Sequence, residues 1–284
     1  PIIKINELQK ETIVQFISDE RITFFEVHKC PLCEGNEVLV VAEKDAFGIP
    51  LETALCKKCG LLFSVKQLED NSSKIFYTEY YRKIYDGVSA PVLDNPYYSK
   101  MMAGETSVHK VPKFLNKESV VLEVGCAAGW NLINYKQANI SHIGFDYDES
   151  MIKYGREKYG LEIHSGGVEE ARKMGVKADF VVLSQVLEHV SDPVSFLKNL
   201  ATLMNEGALI RITVPSLDYL KFFGGSGTSF DMGYNLQNAH NFMFSERTLR
   251  LTMMKAGFSP VIMLSGFCLA KKCNNSEAVD SHAS

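Results

Sequence analysis

The chain has 284 residues, 46% of them apolar and 23% charged, so it can build one large core domain or a domain plus a small module. A net charge of −4 supplies no basic field to gather nucleic acid or anionic membrane, and no stretch reaches the roughly 18–20 uncharged apolar residues of a membrane helix. The first residues, PIIKINELQKE, mix charge with single apolar residues and have no apolar leader core, so a cytoplasmic protein is expected.

Near the start, NELQKETIVQFI sets Leu8, Ile13, Val14 and Ile17 at spacings that suit one helix face. Residues 28–63 then carry two CxxC pairs, Cys30/Cys33 and Cys56/Cys59, with 22 residues between them and β-prone stretches such as EVLVVAE and LLFSV around them. A disulfide framework belongs to small secreted scaffolds, and a redox CxxC belongs at a helix start inside a βαβ unit; neither context is present. Two CxxC knuckles can instead chelate one zinc tetrahedrally, and the glycine in CKKCG suits a tight turn around the metal. Four protein ligands leave no open position, so Cys30, Cys33, Cys56 and Cys59 are read as a structural zinc site that stabilises a ribbon too small for its own core.

From residue 64 to 110 the chain is rich in tyrosine and charge (FYTEYYRKIYDG, NPYYSK) and reads as a helical connector. Tyr77, Tyr80, Tyr81 and Tyr85 are spaced for one helical face; they can roof an acceptor pocket, and simple packing of the connector explains them as well.

After residue 111 strand-like and helix-like segments alternate: SVVLEVG, NLINYKQAN, HIGFDY, DESMIKYGREKYG, LEIHSG, VEEARKM, ADFVVLSQ, DPVSFLKNLATLM, GALIRITVP. A glycine-rich insertion, the helical FSERTLRLTMMKAGF and two more strands, SPVIML and GFCLAKK, follow; the polar tail NNSEAVDSHAS reads as disordered. Near-continuous apolar strands alternating with helices predict an α/β fold, doubly wound, with a mostly parallel seven-stranded sheet. Its ligands belong outside the carboxyl ends of the strands.

At the end of the first such strand, VLEVGCAAGW places Gly125 and Gly129 where missing side chains let a ligand approach backbone N–H groups and a helix N-terminus. It is not a dinucleotide fingerprint, because Ala127 and Trp130 stand where glycines are required, and the Lys-Ser/Thr of a Walker loop is missing. Asp146 ends the next strand, 17 residues after Gly129, where a carboxylate can accept both hydrogen bonds of a ribose diol. Asp148 and Ser150 already supply helix caps there.

The run Glu123-x-Gly125-x-Ala127-x-Gly129, then Asp146, ADFVVLSQVLEHVSDP and GALIRITVPS, resembles the successive motifs of class I S-adenosylmethionine-dependent methyltransferases over about residues 111–272. Ala127 departs from the usual glycine, and its methyl group should tighten the methionine end of the site. The resemblance implies that Gly125, Ala127 and Gly129 line the methionine moiety and that Glu123 orders the loop or meets the ammonium group. It also implies that Asp146 holds the ribose, that Tyr147, Gly167 and Val168 lie beside the adenine, and that Ser184 and Gln185 close the pocket near the sulfonium. The ribbon ahead of such a domain is similar to the zinc-binding module of sugar C-methyltransferases. Those enzymes usually carry a further carboxy-terminal domain absent from this sequence, which leaves C-methylation open and keeps the small-molecule class.

Methyl transfer from a sulfonium is an in-line displacement, and an OH or carbon acceptor benefits from a general base. His189, in LEHV, and His240, in NLQNAHNFMFS, are the candidates; for His189 a packing role is the competing reading, and the Glu188–His189 pair alone does not make a metal site. The expected organisation is residues 1–63 helix and ribbon, 64–110 connector, 111–272 methyltransferase domain and 273–284 tail. The expected function is transfer to a small-molecule acceptor, with S-adenosylmethionine and structural zinc as cofactors. A zinc-ribbon RNA methyltransferase is the alternative, against which the acidic charge and the few ribbon lysines (Lys29, Lys44, Lys57, Lys58) argue. An inactive methyltransferase-like binding module is a second alternative.

Overall fold

The computed structural model describes residues 4–89, 110–215, 217 and 236–273. The chain forms two compact units: Pro1–Val92 with Glu188–Asp192 and Pro215–Leu249, and Leu93–Leu187 with Pro193–Val214 and Arg250–Ser284. Among the described residues no helix is long and apolar enough to cross a membrane.

The first unit opens with α1 (Glu7–Ser18), started by a capping box in which the Asn6 and Gln9 side chains each accept from the other's backbone N–H. Its buried face is Gln9, Thr12, Ile13 and Phe16, whereas Val14 and Ile17, expected on the apolar face, are exposed. Phe16 is what selects this face: its ring packs 5.2 Å from that of Phe76 and 5.5 Å from that of Tyr80. Then come β1 (Phe24–Glu26), β2 (Val38–Lys44), β3 (Pro50–Cys56), β4 (Leu62–Ser64) and β5 (Lys66–Leu68). β1 and β5 make a two-stranded pair. The connector begins as α2 (Asp70–Ile75) and continues as two π-helical turns, Phe76–Tyr80 and Arg82–Asp86, stopped by Gly87 in the left-handed conformation. Tyr80 packs in the core of this unit with Phe16, Phe76 and Ile84, and Tyr81 and Tyr85 pack at its margin.

The second unit contains β6 (Val120–Val124), α3 (Trp130–Gln137), β7 (Ser141–Asp146), α4 (Glu149–Tyr159), β8 (Ile163–Ser165), α5 (Val168–Lys173), β9 (Ala178–Ser184), α6 (Pro193–Ala201) and β10 (Met204–Thr213). β11 (Phe242–Met243) lies in the first unit; α7 (Glu246–Lys255), β12 (Phe258–Leu264) and β13 (Phe267–Lys272) complete the chain. The seven-stranded sheet has the order β12-β13-β10-β9-β6-β7-β8. β10, β9, β6, β7 and β8 run parallel, and β13 and β12 are antiparallel additions at one edge. Central strands covered on both faces are mostly apolar, as Val121–Leu122 and Phe180–Leu183 are. The chain leaves β6 toward β7 and β8 and then returns to β6's other side with β9, so the strand order reverses at β6/β9. Ligand crevices of open α/β sheets form at this point, beyond the carboxyl ends.

The insertion after β10 returns to the first unit. β11 pairs antiparallel with β4, Phe242 opposite Phe63 and Met243 opposite Leu62, which extends the ribbon sheet to the order β11-β4-β3-β2. Two residues carry little strand signal of their own; the edge of β4 supplies it. A buried polar node fixes the approach to this strand: Asp45 accepts from the Asn238 side chain at 3.3 Å, and the Asn238 backbone N–H donates to the Tyr85 hydroxyl at 2.8 Å.

Candidate functional site

At the carboxyl end of β6 the chain turns through three left-handed residues, Gly125 (φ +72°), Ala127 (φ +49°) and Gly129 (φ +77°). Glycine is needed at 125 twice over, because a Cβ there would meet Val186 Cγ2 at 2.4 Å. Ala127 accepts the strained conformation and is held in it by its N–H, which donates to Asp146 Oδ2 at 2.7 Å. Gly129 caps α3 without a side chain, so the first N–H groups of that helix have no side-chain acceptor from the cap.

Asp146 and Asp148 divide their tasks. Asp148 caps α4, accepting from Ser150 and Met151 N–H, while Asp146 Oδ1 accepts the Asp148 N–H at 2.9 Å. Asp146 therefore joins the glycine turn to the end of β7, and burial raises its pKa against these backbone hydrogen bonds. Tyr147 is exposed, and its ring leans over Gly167: a Cβ at 167 would meet the Tyr147 hydroxyl at 2.8 Å. Val168 opens α5 and is buried, so it offers little side-chain surface to a ligand. Ser184 pairs with the Thr213 hydroxyl at 3.0 Å, and Gln185 is exposed in a left-handed conformation (φ +55°).

Glu123 lies wholly inside β6. Oε1 accepts from Asn131 Nδ2 at 2.7 Å, Oε2 is buried with no hydrogen-bond partner, and burial pushes its carboxyl up to about 8. Asn131, which sits in the first turn of α3, is a partner the sequence reading missed; an Asn eight residues after a strand glutamate gives no distinctive signal. An orphaned buried carboxylate oxygen, a left-handed glycine turn and a helix N-terminus with no side-chain cap suit a cationic, ribose-bearing ligand, so the residues present fit S-adenosylmethionine.

His189 and His240 meet in the first unit, with ring centroids 5.0 Å apart, and Glu188 joins them, its Oε1 3.8 Å from His189 Nε2. The Glu188 side chain is 1% exposed and His189 19%. Backbone contacts make the cluster: Asn241 and Phe242 N–H both donate to the Glu188 carbonyl (2.8 and 3.1 Å), and Asn241 Nδ2 donates to the His189 carbonyl at 2.8 Å. His189 Nδ1–H donates to the Ala239 carbonyl at 2.7 Å, which leaves the lone pair on Nε2; the Tyr77 hydroxyl lies 3.0 Å from Nδ1. Of the connector tyrosines, Tyr77 reaches this cluster, whereas Tyr80 donates to Asp19 at 2.7 Å and Tyr85 accepts from the Asn238 N–H at 2.8 Å. Burial pushes the Glu188 carboxyl up to about 8. Burial, with His240 alongside, holds His189 down to about 3 against its bond to Ala239.

The four ribbon thiols converge. Cys30 and Cys59 Sγ lie 3.5 Å apart, as do those of Cys33 and Cys56, and all four fall within 4.8 Å of one another. These separations bracket the roughly 3.8 Å edge of a tetrahedron with Zn–S bonds of ~2.3 Å and are far beyond the ~2.05 Å of a disulfide. Each knuckle turns through a left-handed residue after its second cysteine, Glu34 (φ +58°) and Gly60 (φ +84°). The fit to a four-thiolate zinc is close.

Comparison with known proteins identifies the family. The profile of the family described as Methyltransferase domain matches residues 101–262, more than half of the chain. A Mycolicibacterium smegmatis protein named "Probable S-adenosylmethionine-dependent methyltransferase" is 29% identical over 97 residues, 34% of this chain and 38% of that protein. A Mycobacterium tuberculosis H37Rv protein of the same description is 28% identical over 97 residues, 34% of this chain and 35% of its own length. The match thus spans little more than a third of these relatives. Among solved structures, the plantazolicin methyltransferase BpumL in complex with SAH superposes with a TM-score of 0.48 at 12% identity, over 71% of this chain and 94% of that one. The chain belongs to the methyltransferase-domain family.

Proposed function

We propose that this chain transfers a methyl group from S-adenosylmethionine to a small-molecule acceptor, a sugar, sugar nucleotide or natural-product hydroxyl or carbon. The observation that carries the reading is the Asp146 carboxylate tied to the left-handed turn of Gly125, Ala127 and Gly129 at the strand-order reversal, inside the family-matched residues. Asp146 would hold the ribose hydroxyls, Glu123 and the turn the methionine end, and Tyr147 with Gly167 the adenine; Ser184 and Gln185 would border the methyl group. The bound cofactor supplies an activated methyl on a sulfonium. His189 and His240 would serve the acceptor, His189 through its Nε2 lone pair, as proton-handling residues. Cys30, Cys33, Cys56 and Cys59 would hold a structural zinc. The acidic charge supports a small acceptor over RNA.

Calorimetric titration with S-adenosylhomocysteine tests the cofactor assignment. Micromolar binding by the wild type that weakens in Asp146→Ala is expected, and equal binding by both removes the site from this position.

A further inference from the structure

We propose that Glu188, His189 and His240 bind a divalent first-row transition-metal ion, separate from the four-cysteine site, with coordination positions left open for an oxygen of the methyl acceptor. The proposal rests on the preceding reading only for the occupant of those open positions; the metal site itself stands on the geometry of the first unit.

Three observations carry it. One ligand atom from each of the three side chains lies within 4.8 Å of the others, and Glu188 Oε1 is 3.8 Å from His189 Nε2. An ion bound about 2.0–2.2 Å from each donor sets the donors roughly 3–4 Å apart, so closure requires a movement of only about an ångström. Next, Glu188 is 1% exposed and neither carboxylate oxygen has a hydrogen-bond partner. A buried carboxyl group normally finds hydrogen-bond donors; Glu188 has instead two imidazoles beside it. A cation shared with those imidazoles supplies the missing partner. Third, the His189 ring is fixed as a metal ligand is fixed: Nδ1–H donates to the Ala239 carbonyl at 2.7 Å, which directs the Nε2 lone pair toward Glu188.

The scaffold is also stiff where a site needs it. Residues 188–189 and 239–242 are joined by the Asn241 and Phe242 N–H bonds to the Glu188 carbonyl, by Asn241 Nδ2 to the His189 carbonyl and by His189 Nδ1 to Ala239. A two-imidazole, one-carboxylate set suits zinc, iron(II), manganese or cobalt rather than calcium, which takes oxygen donors. Three protein ligands leave room for an acceptor hydroxyl or carbonyl oxygen, whose acidity or polarity the ion would raise.

Cobalt(II) is the probe that tests this. It reports the two sites separately, by an intense thiolate charge-transfer band for the four cysteines and a weaker ligand-field band for nitrogen and oxygen donors. The 284-residue chain, stripped of metal under reducing conditions, is expected to take up two equivalents. Glu188→Gln and His240→Asn should each lose the second by more than about 100-fold in affinity, beyond the roughly 10–100-fold of losing an outer partner. Both should retain the thiolate band, which shows that the first unit is folded. A wild type that saturates at one, thiolate-bound equivalent overturns the proposal, as do variants that still bind two. S-adenosylhomocysteine binding measured on the same samples separates the two readings. Its loss with the second cobalt retained would remove the methyltransferase reading alone, and its retention without the second cobalt would remove the metal site alone.

Discussion

The Ser64 hydroxyl donates a 2.9 Å hydrogen bond to the carbonyl of His240, and the Ser64 N–H donates to the next carbonyl, that of Asn241, at 2.9 Å. β4, which ends at Ser64, begins just after the Cys56–Cys59 knuckle, where the Cys56 N–H donates to the Leu61 carbonyl at 2.9 Å and the Gly60 N–H to the Cys56 carbonyl at 2.9 Å. The cysteine ribbon and the buried histidine thus share one strand. Ser64→Ala should lower stability by about 1–2 kcal/mol, the loss of one buried hydrogen bond. It should also lower methyl transfer more than cofactor affinity; denaturation and calorimetry check the two parts.

Removing a ribbon ligand should act further along the same path. Cys59→Ser is expected to abolish the cobalt–thiolate band and to lower the melting temperature, because a metal that organises a small ribbon contributes its binding free energy to folding. An unchanged melting curve in Cys59→Ser would mean that the ribbon stands without metal.

Asp146 serves the turn and, in this account, the ribose. Asp146→Ala should weaken S-adenosylhomocysteine by roughly 10–150-fold, since each hydrogen bond to a charged group contributes about 1.5–3 kcal/mol. Asp146→Asn keeps an acceptor for the Ala127 N–H and should lose less. Calorimetric dissociation constants that order as wild type, Asn, Ala are the expected result.

Glu123 gives a pH signature. Burial raises its folded-state pKa from 4.5 to about 8, so the folded chain holds a proton there that the unfolded chain has released. The folded state then binds more protons over that interval, and the contribution to stability falls as pH rises from about 4.5 through 8. Glu123→Gln cannot lose that proton. Denaturant titrations should show the variant gaining on the wild type across this window, by about 1–3 kcal/mol at the alkaline end, with little difference near pH 4.

Gly125 tests the turn itself. Gly125→Ala would place a Cβ 2.4 Å from Val186 Cγ2 at φ +72° and should destabilise by about 1–3 kcal/mol, with cofactor affinity falling as the loop shifts. A fully stable variant would show that the turn is looser than its geometry implies.

Elements with strong local periodicity were legible in the sequence. SVVLEVG became β6 at Val120–Val124, HIGFDY became β7 at Ser141–Asp146, and the cap of α4 fell on Asp148, one of the two residues expected. β10 begins at Met204, earlier than GALIRITVP suggested, because Met204 pairs with Ala178 of β9 although Asn205 and Glu206 look like loop. β11 was invisible, since Phe242–Met243 becomes a strand through the edge of β4. The same holds for the histidine cluster. His189 and His240 were each visible as residues, but their meeting with Glu188 depends on hydrogen bonds from Asn241 and Phe242 to a carbonyl more than 50 positions away, which leave no periodic trace. The glycine-rich insertion FFGGSGTSFDMGYN and the tail after residue 273 lie outside the described residues.

The most direct test is transfer of labelled methyl from S-adenosylmethionine into extract of the source cells, separated beforehand into small-molecule, RNA and protein fractions, with Asp146→Ala as control. Label in the small-molecule fraction with the wild type, and its loss with the variant, is the expected result. Label confined to RNA or protein, or label that the variant incorporates equally, would contradict it.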